Sequence, residues 1–225
     1  MRSKLIQCFL SALIFSSTAN AQLDQIGRIK LELPEGRWVT QTLADSSIAY
    51  SGDVSGTLKA DRVIKVLLDN NNAVLAVVQV SASIDSMTQG RMNWTSGCKQ
   101  LRQEYSYDHT KGSLTSIDCL HVWPNVNPKV TMEIRDKAAL ADMTAKGFVL
   151  PSRMYQVTHM VGTETGNYVQ LFALIANTKL KQVPASQPGG AYEGKPGVAW
   201  GHLYAETARN GVSSFRGNLK MPSLE

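Results

Sequence analysis

The sequence contains little cysteine and no long apolar run. Three cysteines among 225 residues are too few for a disulfide-dense mini-protein, which depends on cross-links because its core is small. Hydrophobic residues make up 43% of the chain, which excludes a mostly disordered protein because enough apolar surface is present to offset the entropy of ordering. No stretch approaches the roughly 20 apolar residues that a membrane-spanning helix requires. The composition therefore predicts a globular protein without a transmembrane segment after removal of the signal described below.

Clusters of basic residues with interleaved aromatic residues are also absent. Lys and Arg number 23 and Asp and Glu number 18, and the two signs are interspersed along the chain. Binding to nucleic acid depends on a concentrated positive charge that neutralises phosphates. We therefore expect no nucleic-acid partner.

The start of the chain, residues 1–21, has the features of a cleaved secretory signal. Arg2 and Lys4 form a basic start, a short and mostly apolar stretch follows, and small residues end the segment at Ala21, where a signal peptidase would cut. Its removal takes away two positive charges and no negative ones, so the formal net charge falls from +5 to +3. We predict that residues 22–225 form a single globular domain in the periplasm of a bacterium or outside the cell.

Two cysteines would remain after the signal is removed. Cys8 leaves with the signal, and Cys98 and Cys119 are then an even pair in a compartment where thiols oxidise. We predict a disulfide between them, which would stabilise the domain by about 3 kcal/mol because it closes a loop of moderate length. A nucleophilic or redox cysteine would need a CxxC pair or a thiolate activated by a nearby His, and neither is visible in the sequence.

Alternation of apolar and polar residues predicts strands that are joined in hairpins. The three predicted hairpins pair residues 29–33 with 37–43, residues 63–68 with 74–84, and residues 155–161 with 168–176. Asn70, Asn71 and Asn72 form the turn of the second hairpin, because Asn tolerates a positive φ. Residues 117–123 are predicted to form a further strand.

Helical periodicity is found in two places. From Pro128 onward, apolar residues recur at intervals of three and four up to the stop at Gly147. That recurring set is Val130, Ile134, Ala138, Ala141 and Ala145. The helix begins at Pro128 or near Arg135, and the later start is favoured because residues 130–134 could also end a strand.

The second helical pattern follows a loop rich in Pro and Gly at residues 178–197. Its apolar stripe contains Trp200, Tyr204 and Ala208, and the helix is predicted to stop at Asn210 and Gly211. The alternative is that these last two residues form a hairpin turn. Together the patterns predict an α+β fold with a largely antiparallel sheet built from hairpins, about two helices and one disulfide.

Short catalytic patterns in the chain lack the residues that would complete them. Residues 189–195 match the spacing of a phosphate-binding loop, but Pro196 stands where Ser or Thr must bind the magnesium ion. Ser96 and Lys99 have the SxxK spacing of penicillin-recognising enzymes, without the companion KTG and SDN motifs. No GxSxG motif is present, so the usual esterase nucleophile is missing.

The four histidines are not spaced as metal ligands. His109, His121, His159 and His202 are dispersed without HExxH or HxH spacing, so the sequence predicts no metal and no cofactor. His159 follows the alternation of a strand and is predicted to be a half-buried histidine whose hydrogen bonds are satisfied.

Because no catalytic pattern is complete, the sequence favours a binding or envelope-associated module without catalysis. An envelope protein or a small-molecule ligand would be its partner. The alternative is a hydrolase whose His and carboxylate residues are brought together only in space, with His121, His159 and Asp118 as candidates.

Overall fold

The computed structural model describes residues 23–52, 56–86, 92–94, 98, 105–180, 194–213 and 217–224. The predicted signal and its cleavage site at Ala21 lie outside these residues. The strands are β1 Leu23–Ile26, β2 Ile29–Glu32, β3 Arg37–Gly52, β4 Gly56–Leu68, β5 Val74–Ser83, β6 Met92–Asn93, β7 Tyr105–Asp108, β8 Ile117–Val126, β9 Met154–Gly162, β10 Tyr168–Ala176 and β11 Asn218–Lys220. The helices are α1 Pro128–Arg135, α2 Lys137–Ala145 and α3 Pro196–Ser213, with a short 3-10 helix at Asn177–Lys179.

Most strands form one antiparallel sheet with the order β6-β3-β4-β5-β10-β9-β8-β7. The second and third predicted hairpins are confirmed as β4–β5 and β9–β10, which lie side by side through the pairing of β5 with β10. Asn72 has a φ of 61°, so the turn of the second hairpin uses the left-handed conformation that Asn tolerates. The predicted α+β class with a largely antiparallel sheet is confirmed.

The first predicted hairpin is wrong. β2 pairs with β1 and with β11 in a separate three-stranded sheet, whereas β3 pairs with β4. Ile29 and Leu31 of β2 are buried against the main sheet, as the alternation predicts, so the correct face is buried but the pairing partners are different. The physical reason is that both edges of β2 find partners outside the hairpin, and one of them lies near the other end of the chain.

The main sheet has a different cover on each face. We call the side that carries Leu120, Val157 and Leu171 the α3 face, because α3 and the small sheet pack there in one apolar cluster. We call the opposite side the α1–α2 face, where Val66 and Phe172 pack against the two short helices. Alternation along each strand sends neighbouring side chains to opposite faces, so it decides which polar residues can meet.

The helix predicted after residue 127 is two helices, and the favoured later start is wrong. α1 begins at Pro128, with the Asn127 side chain accepting hydrogen bonds from the first turn, and it ends at Arg135. Asp136 interrupts the helix and caps α2 by accepting from the Ala139 amide. The predicted stop is confirmed, since Gly147 follows α2 with a φ of 72°.

The break at Asp136 also changes which side of this segment is buried. The predicted apolar stripe is exposed, with Ile134 at 82% and Val130 at 52% of their accessible surface. Met132, Ala139 and Met143 face the sheet instead. The predicted stripe requires one continuous helix, in which each residue is rotated by the same angle from the one before. Because the helix is interrupted at Asp136, residues before and after it do not line up in one stripe.

The second predicted helix is confirmed, but its stop is wrong. α3 continues through Asn210 and Gly211 to Ser213, so the alternative hairpin turn does not form. Trp200, Tyr204 and Ala208 are buried on the α3 face as predicted. Within the described part of the chain, no helix is both long enough and apolar enough to span a bilayer.

The predicted disulfide is confirmed. Cys98 and Cys119 are bonded, with their Cα atoms 5.4 Å apart. Cys119 lies on β8 and is 3% exposed, whereas Cys98 is half-buried. The bond therefore ties Cys98 to the sheet near the edge formed by β7 and β8.

Candidate functional site

A buried polar cluster lies between the sheet and α3. Asp118 on β8 and His159 on β9 share the α3 face, and Asp118 Oδ1 lies 2.9 Å from His159 Nε2. Arg209 of α3 donates from Nε to the other carboxylate oxygen, Oδ2. Side chains from two strands and one helix therefore meet at a single carboxylate.

The charges in this cluster follow from burial and hydrogen bonding. Burial alone would raise the pKa of Asp118, but hydrogen bonds from His159 and Arg209 outweigh it and lower that pKa. Burial lowers the pKa of His159, although Asp118 acts in the opposite direction. Within the described residues His159 Nδ1 has no hydrogen-bond partner, which suits a neutral imidazole with its proton on Nε2. We therefore assign Asp118 as a carboxylate that accepts hydrogen bonds from the neutral imidazole of His159 and from the guanidinium of Arg209.

Aromatic residues and a second histidine surround the cluster. The Tyr204 ring meets the His159 ring edge-on with centroids 5.6 Å apart, and burial raises the pKa of the Tyr204 hydroxyl. His202 Nε2 is 2.7 Å from the hydroxyl of Tyr105 on β7. Burial, followed by the positive charge of Arg209, lowers the pKa of His202 to about 4. Both histidines are consequently neutral near pH 7.

Asp118 and His159 are covered too well to reach a substrate directly. His159 is 1% exposed and Asp118 is 4% exposed, so the histidine is fully buried and not half-buried as predicted. Its hydrogen bonding is satisfied at Nε2 alone. The main effect of the cluster is to hold α3 against β8 and β9.

His121, the third residue of the predicted hydrolase site, lies on the opposite side of the sheet. It is three positions from Asp118 on β8, and strand alternation places the two on different faces. Its Nδ1 is 2.7 Å from Ser106 Oγ on β7, and its ring stacks on Trp123 with centroids 5.7 Å apart. The structure therefore brings together two of the three predicted residues and separates the third.

His121 also lies beside the disulfide. One ring nitrogen of His121 and the sulfur atoms of Cys98 and Cys119 all lie within 4.8 Å of one another. This arrangement is not visible in the sequence, because Cys98 is distant in the chain. The spacing of Cys119 and His121, two positions apart on β8, predicts only that these two side chains share a face.

The remaining candidates have structural roles or lie outside the described residues. His109 is exposed in the turn that follows β7, with its ring 6.3 Å from that of Tyr107 between the centroids. Ser96 and Lys99 lie outside the described residues, as do residues 181–193 of the Pro- and Gly-rich loop.

A cleft opens at one end of the main sheet. Its cavity has a volume of about 330 Å³ and lies between the turn that follows β2, the β4–β5 hairpin and the segment after β11. Apolar side chains of Leu67, Leu68, Leu75 and Leu224 line it. Glu35 and Lys179 supply a charge of each sign.

At this cleft the backbone of the turn after β2 lies against the Leu67 side chain, and this close contact requires glycine at position 36. Gly36 has a φ of 149°, and a Cβ atom there would overlap a methyl group of Leu67. The nearby Trp38 indole donates to the Pro34 carbonyl at 2.8 Å and holds the turn in place. The wall of the cleft formed by this turn is therefore fixed by local contacts.

Comparison with known proteins assigns no function to either region. No family model matches the chain, and searches of curated proteins and of solved structures find no match.

Proposed function

We propose that this protein is an exported binding module, periplasmic or secreted, that takes a small amphipathic anion in the cleft and has no catalytic activity of its own. The signal-like residues 1–21 support export. The cleft lined by Leu67, Leu75 and Lys179 supports the binding role, and it is the observation on which the proposal rests.

The lining of the cleft selects the chemistry of the ligand. Leu75 is the partly exposed leucine of the lining, and an aliphatic group that covers it gains free energy by removing it from water. The other three leucines are only 3–5% exposed and add little further apolar surface. A cavity of about 330 Å³ is at the small end of ligand-binding pockets, so the ligand is a small molecule and not a polymer. A short aliphatic chain fits this combination of size and surface.

Lys179 supplies the charge that would orient such a ligand. It is half-buried in the 3-10 helix after β10, and no residue in the described part of the chain forms an ion pair with it. A partly desolvated ammonium attracts an anion more strongly than a fully exposed one. We therefore expect the ligand to carry a carboxylate that reaches Lys179 while its chain lies on the leucines.

Calorimetric titration with octanoate tests this binding mode. We expect octanoate to bind the purified chain, octanol to bind more weakly, and Lys179→Gln to weaken octanoate binding about tenfold, the effect of losing one charge-assisted contact. Lys129→Gln is the matched control, because Lys129 is an exposed lysine on α1 outside the cleft. Leu75→Trp should block binding by filling the cavity. Absence of octanoate binding, or equal affinities for the two lysine variants, would refute the proposed ligand class.

Export has a separate test. Expression of the full chain in a bacterium, followed by fractionation and intact-mass measurement, should recover a periplasmic or secreted protein that begins at Gln22. Recovery of the full-length chain in the cytoplasm would refute export without affecting the cleft.

Hydrolysis is a second candidate function, favoured by one observation. Ser106 Oγ and His121 Nδ1 are 2.7 Å apart, and both side chains are only partly buried. In the tautomer that leaves Nδ1 without a proton, the serine hydroxyl donates to it, and His can accept the proton as the oxygen attacks a carbonyl carbon. This pair replaces His159 and Asp118 as the catalytic candidates, because those two are buried under α3.

A fluorophosphonate probe distinguishes the two functions. A nucleophilic Ser106 would be labelled, and the labelling would be lost in Ser106→Ala and in His121→Ala. Ser113→Ala is the control, since Ser113 is a partly buried serine in the turn before β8 and does not contact His121. Labelling that does not differ between Ser106→Ala and Ser113→Ala would refute the hydrolase and leave the binding module.

A further inference from the structure

Three potential metal-binding side chains converge on the α1–α2 face of the sheet. Cys119 and His121 are two residues apart on β8, and the disulfide brings Cys98 to the same place. Their donor atoms lie within 4.8 Å of one another. The cleft at the end of the sheet contains none of these residues, so the inference below is independent of the proposed ligand.

We propose that Cys98, Cys119 and His121 form a redox-gated site for a divalent metal of the zinc class, closed by the disulfide and opened when it is reduced. Zinc binds two cysteine sulfurs at about 2.3 Å and a histidine nitrogen at about 2.0–2.1 Å. Tetrahedral geometry then places the donor atoms about 3.6–3.8 Å apart. The observed cluster meets this requirement with small side-chain movements once the sulfur–sulfur bond is broken.

The chemical step is a two-electron reduction followed by metal binding. A dithiol reductant gives two electrons and two protons to the disulfide, so the sulfur–sulfur bond breaks, two thiols form on Cys98 and Cys119, and the reductant becomes a cyclic disulfide. The metal ion then displaces one proton from each thiol and bonds to both thiolates and to the neutral imidazole of His121. A water molecule completes the fourth position.

The surroundings orient the imidazole independently of the disulfide and place carbonyl oxygens near Cys98. The Ser106 hydroxyl bonds to Nδ1 of His121, and Trp123 stacks on the ring, so the orientation of the imidazole does not depend on the sulfur atoms. Cys98 Sγ lies 3.7 Å from the Asp118 carbonyl and 3.9 Å from the Tyr107 carbonyl. A Cys98 thiol can donate to these oxygens, which would keep it close to β8 after reduction.

Access and burial also suit a metal site. Cys98 and His121 are partly buried, which leaves a route for a reductant and for the ion, whereas Cys119 is 3% exposed. Apolar residues including Met92 and Ile117 pack around Cys119 and limit the water that competes for the ion. A redox cysteine is disfavoured by the sequence because no nearby His is visible there, and the structure places His121 beside the disulfide.

Cobalt titration of the full chain tests the proposal. The protein is reduced with dithiothreitol, desalted without oxygen and titrated with Co²⁺, whose bonds to thiolates give a strong near-ultraviolet absorption. We expect the reduced chain to bind a single equivalent that Zn²⁺ displaces, and the oxidised chain to show no such absorption. His121→Ala should weaken binding at least tenfold, whereas His109→Ala should not change it, because His109 is exposed and outside the cluster.

Two controls keep every outcome interpretable. The double variant Cys98→Ala, Cys119→Ala should lose the cobalt absorption under all conditions. If circular dichroism shows that the reduced chain unfolds, addition of Zn²⁺ should restore the native spectrum, since a metal that binds only the folded state stabilises it. Equal cobalt binding by the reduced and oxidised chains, equal affinities of the two histidine variants, or failure of Zn²⁺ to restore an unfolded reduced chain would each overturn the proposal.

Discussion

Asp118 and Arg209 are 91 residues apart in the sequence and form an ion pair that joins β8 to the last turns of α3. The same carboxylate accepts from His159 of β9 at 2.9 Å. Because Asp118 is 4% exposed, these partners replace the water that a carboxylate would otherwise bind. The ion pair therefore fixes the position of α3 on the sheet.

Replacing Asp118 should destabilise the protein strongly. Asp118→Ala leaves the buried Nε2–H of His159 without an acceptor and removes the partner of Arg209, so we expect the free energy of unfolding to fall by about 3 kcal/mol. Asp142→Ala is the control, because Asp142 pairs with Lys146 at an exposed site and should cost less than about 1 kcal/mol. Urea unfolding of both variants measures the difference, and similar losses would contradict a structural role for the Asp118 cluster.

The neutral state of His202 predicts a pH dependence of stability. The pKa of His202 is about 4 in the folded protein and about 6.5 in the unfolded chain, so between these values only the unfolded state binds the proton. Stability should therefore fall as the pH is lowered from about 6.5 to about 4. His159 acts in the same direction, because its pKa is also lowered.

A His202→Gln variant isolates this contribution. Gln can keep a hydrogen bond to Tyr105 but does not titrate, so urea unfolding measured across the same pH range should show a smaller loss of stability than in the original chain. His109→Gln should behave like the original chain, since His109 is exposed. A pH dependence that is identical in the original chain and His202→Gln would show that His202 is not the titrating group.

Lys65 and Asp24 connect the small sheet to the main sheet. Lys65 is fully buried on β4, and its Nζ donates to Asp24 Oδ1 on β1 at 2.8 Å and to Thr40 Oγ1 at 2.6 Å. Asp24→Ala should cost about 2–4 kcal/mol, because it leaves a buried ammonium without its counter-charge. Lys65→Met should cost less, because it keeps most of the volume and the Asp24 carboxylate that loses its counter-charge is 25% exposed to water. Urea unfolding compares them, and a greater loss in Lys65→Met would contradict this account.

The two sides of α1 and α2 should respond differently to truncation. Met143→Ala removes a side chain that is 1% exposed in the core and should cost about 2–4 kcal/mol through lost burial and a cavity. Ile134→Ala removes an 82% exposed side chain and should change stability by less than about 0.5 kcal/mol. Thermal or urea unfolding gives both values. If the predicted apolar stripe that contains Ile134 faced the core, Ile134→Ala would destabilise the protein more than Met143→Ala.

Local signals in the sequence predicted the parts of the fold that depend on neighbours in the chain. The hairpin around Asn72 and the hairpin from β9 to β10 were predictable because turn residues and alternation lie within one short segment. The pairing of β2 was not, because its partner β11 is distant and carries no pairing signal of its own. Asp136 was also missed, because a capping carboxylate in the middle of a helical pattern resembles any other polar residue.

The candidate sites were only partly predictable for the same reason. Asp118 and His159 each interrupt the buried, mostly apolar face of a strand, which marks them as polar residues in need of a partner. Their contact depends on the register of β8 with β9, in which Leu120 is opposite His159. The position of His121 beside Cys98 depends on the disulfide and on strand alternation together, and neither alone indicates it.

The parallel pairing of β2 with β11 has a consequence for the order of folding. Lys30 and Asn218 are opposite each other in this pair, so their contact closes a loop of nearly the whole described chain. Loops of this length form slowly, because much of the chain must be ordered before their contacts compensate for lost entropy. During synthesis from the amino end, β2 cannot pair with β11 until residues 218–220 have been made. The pairing of this early apolar strand is thus completed only after all the strands of the main sheet have been made.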